Sequence, residues 1–237
     1  MTKPFLETLE LDADYGDCRA LFGVEVGLAE GETVAVIGAN GAGKSTLLRS
    51  IAGLVRNAPE MVRLDGRPIG ALSAEQVTRL GISTVPQGRR LFPSLSVEEN
   101  LLIGGRHGRS KGQWSLGTVY GLFPMLRERR KAPATALTIG QQQMAAIGRA
   151  LMSNPRILLC DEIGLGLPPE LIRDIYAILP RIREAGASVV LAEQDIGRAL
   201  RVADRVYCLT AGRVTLLGRP EHMRRHDIHD AYFGVRA

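Results

Sequence analysis

Eight residues constrain this chain more than any other feature: Gly38-Ala39-Asn40-Gly41-Ala42-Gly43-Lys44-Ser45. They match G-x-x-x-x-G-K-[ST], with Thr46 next in line, and they join an apolar run at 33–37 to a helical pattern at 44–52. A buried strand, a glycine loop and a helix in that order are the context the motif requires. Glycines at 38, 41 and 43 let successive backbone N–H groups turn inward around a phosphate. The helix N-terminus adds a favourable partial charge. Lys44 supplies a point charge for the β- and γ-phosphates, and Ser45 offers its hydroxyl to Mg²⁺.

The apolar pattern alternates between two kinds of segment. Runs at 33–37, 81–85, 157–160, 188–192 and 206–209 are short and apolar almost throughout, as expected of strands covered on both faces. Helical patterns lie between them. Segment 137–152 spaces Met144, Ile147 and Leu151 three and four apart. Segment 168–184 opens on two prolines and stops before Gly186, which predicts one helix with both ends marked. The alternation predicts an α/β fold with a mostly parallel sheet. Leu9-Glu10-Leu11 and Val24-Glu25-Val26 predict antiparallel strands added at the front. Residues 91–155 hold at least three helical segments and no convincing strand. They read as a helical subdomain inserted into a core formed by 1–90 and 156–237, with a glycine-rich solvated loop at 104–115.

The apolar run at 157–160 ends in two carboxylates, Asp161 and Glu162. A central strand would deliver Asp161 beside Mg²⁺, as a ligand of its shell, and Glu162 beside the γ-phosphate. Glu162 is then placed to orient or deprotonate the attacking water.

Composition narrows the class. The 237 residues carry a net charge of +5, yet only four of the 30 basic residues are lysines: Lys3, Lys44, Lys111 and Lys131. With 45% apolar and 23% charged residues, the chain is neither a disordered tail nor a fibrous repeat. No apolar stretch approaches the 18 or so residues of a membrane span. No apolar signal segment follows Met1-Thr2-Lys3-Pro4, and Cys18, Cys160 and Cys208 form no CxxC. Both observations predict a cytosolic chain in a reducing compartment. A basic balance fits nucleic acid, an anionic membrane surface or phosphate ligands. The arginines are spread along the chain with no aromatic platform, which argues against nucleic acid.

A third motif selects among nucleotide hydrolases. Leu137-Thr138-Ile139-Gly140-Gln141, followed by Arg149-Ala150-Leu151, resembles the LSGGQ signature of ABC ATPases and the helix behind it. Gln87 resembles the Q-loop glutamine, Tyr15 the aromatic that stacks on adenine, and Gln194 stands where most such ATPases have a switch histidine. The resemblance covers roughly residues 5–232. Four stretches, Val85-Pro86-Gln87-Gly88-Arg89-Arg90-Leu91-Phe92, Ser96-Val97-Glu98-Glu99-Asn100-Leu101, Gly148-Arg149-Ala150-Leu151-Met152-Ser153-Asn154-Pro155 and Leu165-Gly166-Leu167, narrow it. They look like the LivF-type ATP-binding subunit of branched-chain amino-acid importers. The resemblance implies a P-loop NTPase core, ATP and Mg²⁺ as ligands, and hydrolysis between two ATPase subunits arranged head to tail. It implies that Thr138, Gly140 and Gln141 reach the nucleotide held by the partner's phosphate loop, and that Gln87 joins Ser45 and Asp161 near the metal. The implied partners are a LivG-type subunit or a second copy, two permeases and, indirectly, a periplasmic solute-binding protein. The implied place is the cytoplasmic face of a bacterial inner membrane. Related subunits serve urea, amides or aromatic acids, and the chain never touches the solute. A chromosome or DNA-repair ATPase would need a long coiled-coil insertion, and only about 90 residues without heptads separate the two motifs here.

The sequence also departs from the family pattern. Ile139 replaces the first signature glycine, where a β-branched residue would not adopt positive φ or allow close backbone approach. Ile163-Gly164 stand where the family has Pro-Ser. Both departures leave room for unequal ATP sites or a hydrolysis-poor regulatory subunit. Gln194 can hydrogen-bond a phosphate oxygen but cannot shuttle a proton, which leaves that work to Glu162. His222, His226 and His229 could share one helical face, a weak zinc pattern against a solvated terminal helix. Arg127, Arg129, Arg130 and Lys131 form the densest basic run, a solvated face or a contact to permease or anionic headgroups. Trp114 reads as a packing residue.

Overall fold

A computed structural model of the chain describes residues 4–109 and 112–234; Met1, Thr2, Lys3, Ser110, Lys111, Val235, Arg236 and Ala237 lie outside the described residues. Along the chain run β1 (Leu6–Tyr15), β2 (Cys18–Leu28), β3 (Thr33–Ile37), α1 (Lys44–Ile51), β4 (Val62–Leu64), β5 (Arg67–Pro68) and α2 (Ala74–Arg79). Next come β6 (Ile82–Val85), α3 (Val97–Gly105), α4 (Leu116–Leu122), α5 (Pro124–Glu128), α6 (Ile139–Leu151), β7 (Ile157–Asp161), α7 (Pro169–Tyr176) and α8 (Leu179–Glu184). The chain closes with β8 (Ser188–Glu193), α9 (Ile196–Val202), β9 (Arg205–Thr210), β10 (Arg213–Gly218) and α10 (Arg225–Phe233).

Two compact units divide this list: residues 1–77 with 188–237, and residues 78–187. The sequence-based core and insertion boundaries, 91 and 155, fall at different positions from these units. The first unit holds two sheets. In one, β3 lies between β8 and β9 and runs parallel to both, with β10 antiparallel on β9. Every residue of β3 and β8 is buried, which is why both read as unbroken apolar runs. In the other, β1 pairs antiparallel with β2 and β4, and β4 with β5. The alternating front segment thus forms the expected antiparallel strands. β10 escaped the sequence reading because its residues are exposed or half-buried in alternation, without an apolar run.

In the second unit β6 and β7 pair in parallel, and α3 to α6 supply the helices. Among the described residues of 91–155 the only strand-like pairing is an isolated bridge between Ser96 and Pro133. α3 and α6 approach closely because two glycines face the contact. A Cβ at Gly104 would collide with the carbonyl of Arg149, and one at Gly148 would press on Leu101 and Val119. The predicted single helix at 168–184 is two helices, α7 and α8, parted at Ala177-Ile178. Pro180 explains the break: it has no N–H for the carbonyl of Tyr176, and its ring would clash there.

Candidate functional site

The candidate residues divide between the two units. In the first, β3 delivers the chain to Gly38 and α1 leaves from Gly43. A Cβ at Gly38 would strike the carbonyl oxygen of Leu209 on β9, so only glycine lets the loop start this close to the sheet. Gly43 has φ +105° and lies 2.7 Å, by an ideal Cβ, from Leu21 Cδ2; it needs glycine on both counts. No side chain caps α1, whose N-cap is Gly43 itself. Its first-turn N–H groups therefore keep the anion-binding character of a helix N-terminus. Lys44 is buried, and its Nζ donates to Gly38 O at 2.8 Å and Ala39 O at 3.0 Å, spanning the loop it serves. Ser45 and Thr46 follow in the first turn of α1, both half-buried, and Ala42 is buried beneath the loop.

Gln194, just past β8, reaches this loop: its Nε2 donates to Asn40 Oδ1 at 2.5 Å. Its backbone is held by Glu193, whose Oε2 accepts from the N–H groups of Gln194 and Asp195. Glu193 is buried and ion-paired to Arg198 at 3.3 Å. On the other side, Tyr232 of α10 donates its hydroxyl to Gln194 O at 3.3 Å. Neither Glu193 nor Tyr232 was singled out from the sequence; the spacing of Glu193 to Arg198, five residues across a helix start, was the available signal. Tyr15 ends β1 opposite Cys18, 46% exposed, at the tip of the hairpin. Its ring is open to a flat partner.

In the second unit β7 is buried throughout and carries Asp161 at its last position. Glu162 follows with φ +49° and is also buried. A non-glycine residue in the left-handed region is uncommon and is held there by its surroundings. Gln87 supplies part of that hold: its Nε2 donates to Glu162 Oε2 at 3.0 Å. The sequence reading set Gln87 beside a metal; here it touches the second carboxylate of the acid pair. Arg89 donates to Leu165 O at 3.3 Å, linking the same loop to the segment after the acids. Ile163 is fully buried, so its apolar side chain is a packing element of that turn.

The signature segment opens α6. Thr138 is the N-cap: its Oγ1 accepts from Gln141 N at 3.3 Å, and Gln141 Oε1 accepts from Thr138 N at 3.0 Å. Gly140 is buried where a Cβ would collide with Leu171 of α7. Ile139 corrects an expectation. It is the first residue of α6, it is not among the positive-φ residues, and its side chain is 52% exposed. Glycine is therefore not required there by backbone conformation, and any cost of Ile139 lies in what its exposed side chain meets.

His226 and His229 lie on α10, but His222 lies on a separate 3-10 turn at Pro220–His222, so the three do not share one helix. His226 and His229 each contact the neighbouring aspartate, Asp227 at 2.9 Å and Asp230 at 3.4 Å. Arg127 and Arg130 of the basic run line a groove of about 590 Å³ with Glu98, Tyr120 and Pro124. There Tyr120 donates to Glu98 at 2.9 Å, and burial, with that bond, pushes its phenol above the ordinary range. Trp114 is half-buried and tied through its backbone to the Asn154 side chain by two hydrogen bonds.

A buried strand, a glycine loop built for an anion, and a second buried strand ending in paired acids define a P-loop nucleoside triphosphatase. Residues 21–163 match the ABC transporter family. The chain is 42% identical over 228 residues to the high-affinity branched-chain amino acid transport ATP-binding protein BraG of Pseudomonas aeruginosa, covering 93% of this chain and 95% of that one. It is 34% identical to the probable branched-chain amino acid transport ATP-binding protein LivF of Archaeoglobus fulgidus, covering 94% and 95%. Among solved structures it is similar to a dimeric ATP-binding cassette in a post-hydrolysis state with ADP and Pi, at 27% identity and a TM-score of 0.79, covering 92% of this chain and 100% of that one. The chain belongs to the ABC transporter family: it is an ATP-binding subunit that hydrolyses ATP. No helix among the described residues is long and apolar enough to cross a membrane.

Proposed function

We propose that this chain is the LivF-type ATP-binding subunit of an importer for branched-chain amino acids, hydrolysing MgATP in a head-to-tail dimer. The observation that carries the cargo is the 42% identity to BraG, sustained over 93% of the chain. The dimer partner is a LivG-type subunit or a second copy, the force is passed to two permeases through the segment 91–155, and a periplasmic binding protein supplies the solute. The chain works at the cytoplasmic face of a bacterial inner membrane, where its +5 charge suits an anionic surface.

The residues support distinct roles. Gly38, Asn40, Gly41, Ala42, Gly43, Lys44 and Thr46 bind the phosphates, and Tyr15 stacks on the base. The uncapped N-terminus of α1 and the space that only glycine leaves at Gly38 fit a polyphosphate. Ser45, Asp161 and Gln87, all oxygen-bearing, fit Mg²⁺, a hard cation; when bound it neutralises phosphate charge. Glu162 takes the proton from the attacking water, and Gln194 holds a phosphate oxygen. Thr138, Gly140 and Gln141 act across the dimer. The exposed Ile139 side chain makes the site it serves in the partner the weaker of the two; Ile139→Gly should raise turnover of the assembly, and an unchanged rate removes this asymmetry.

The test is uptake in a strain lacking this chain. Entry of labelled leucine, isoleucine and valine should fall, and return with the wild-type chain but not with Glu162→Gln. Loss of urea, amide or aromatic-acid uptake with normal leucine uptake would assign the other cargo.

A further inference from the structure

Gly88, Arg89 and Arg90 have φ of +79°, +66° and +47°, the only three consecutive left-handed residues among those described. Glycine adopts this conformation freely. Each arginine pays for its Cβ, so something must hold the run in place. Arg149 of α6 does so. Its Nη2 donates to Arg89 O at 3.1 Å and its Nη1 to Arg90 O at 2.8 Å. Its guanidinium sits 5.8 Å from the centroid of the Phe92 ring.

Two further facts argue that this contact is more than packing. Arg149 is half-buried, and among the described residues no carboxylate pairs with it. A guanidinium withdrawn from water without a counter-charge depends on its hydrogen bonds, and here the acceptors are two consecutive main-chain carbonyls. The far end of the strained run is pinned separately. Asn100, fully buried, accepts from Phe92 N at 2.8 Å and donates to Phe92 O at 3.1 Å. The near end is Gln87, bonded to Glu162. Between fixed points at Phe92 and β6, the twist of residues 88–90 decides where Gln87 reaches.

We propose that Arg149 is a positioning residue for ATP hydrolysis: by clamping the carbonyls of Arg89 and Arg90 it holds Gly88–Arg90 left-handed, and that backbone sets Gln87 against Glu162. The proposal rests on the reading of Glu162 as the group that handles the attacking water. Lysine cannot replace the arginine, because its ammonium lacks the fixed fork that spans two neighbouring carbonyls. Glycine at 90 can replace the clamp, because it favours the left-handed region unaided. Arg90 is exposed and has no part in the nucleotide site.

The experiment compares full-length Arg149→Lys, Arg90→Gly, the double variant and Arg90→Val in the assembled ATPase. Arg149→Lys should lower kcat about tenfold while KM for ATP moves less than about twofold, the pattern of a lost transition-state arrangement. Amide hydrogen exchange over residues 86–92 should accelerate in the same variant. Arg90→Gly alone should be near wild type, and in the double variant should return kcat to within about threefold of that level. Arg90→Val, which disfavours the left-handed region with Arg149 intact, should reproduce the slow kcat even if Arg149→Lys fails to fold. A double variant as slow as Arg149→Lys, unchanged exchange, or wild-type kcat in Arg90→Val overturns the clamp. Glu162→Gln run alongside separates the two readings: full hydrolysis there overturns the assignment of Glu162, whereas a dead Glu162→Gln with a fast Arg90→Val overturns the clamp alone.

Discussion

Gly38 and Gly41 sit three residues apart in one loop and are needed for different reasons. Gly38 is pressed against Leu209 O, so Gly38→Ala forces the backbone apart and should cost about 1–3 kcal/mol in a urea melt, with loss of nucleotide affinity. Gly41 has φ +79° and nothing near an added Cβ, so Gly41→Ala should cost only about 1–2 kcal/mol, through conformation alone. Glu162 is the sharper test of chemistry. Gln keeps its shape and its place beside Gln87, so Glu162→Gln should leave ATP binding and dimerisation intact while kcat falls by about 10²–10⁴-fold. Full turnover in that variant would remove Glu162 from the mechanism. The phosphate loop was legible from eight contiguous residues. The Gln87–Glu162 bond was not, because 75 residues separate its ends and nothing in either local pattern names the other.

Elements were legible to the degree that burial was uniform. β3, β7 and β8 are buried at every position and read as apolar runs; β10 alternates and β4 spans only three residues, too few to show a period. The split between α7 and α8 was written in Pro180, which the pattern of apolar residues outvoted. Helix starts proved as informative as faces. α3 and α6 both open on reciprocal capping boxes, Ser96 with Glu99 and Thr138 with Gln141. Thr138→Ala should therefore destabilise the chain by about 1 kcal/mol in a urea melt without any nucleotide present. Unchanged stability would mean that the hydroxyl serves the partner's ATP alone. In α3 the Ser96 side chain, then the Ser96 backbone, hold the Glu99 carboxyl below its ordinary value. A depressed carboxyl stabilises above its unfolded value and loses that contribution as pH falls through the lowered one. The α3 cap should thus be intact at neutral pH and fray on acidification, visible as lower amide protection factors at residues 97–100.

At the scale of the molecule, the candidate residues fall in both units: the phosphate loop and Gln194 in 1–77 with 188–237, and Gln87, the signature segment and the acid pair in 78–187. The chain leaves the first unit after the phosphate loop and returns to it at β8, just before Gln194, so that unit joins Gln194 to Asn40 from segments far apart in sequence. Composition could exclude whole classes but not show this interleaving. The cysteines give a test of the whole fold: Cys160 and Cys208 are buried and Cys18 is exposed, and none of the three is in a disulfide. A thiol reagent should titrate one group in the native chain and three in denaturant; more than one native group would mean a looser core. That single reactive thiol stands directly across the β1–β2 hairpin from Tyr15. A fluorophore attached at Cys18 would therefore ride beside the ring proposed to meet the base. The wild-type chain already holds the attachment point for an optical readout of nucleotide arrival, with no cysteine to add and none to remove.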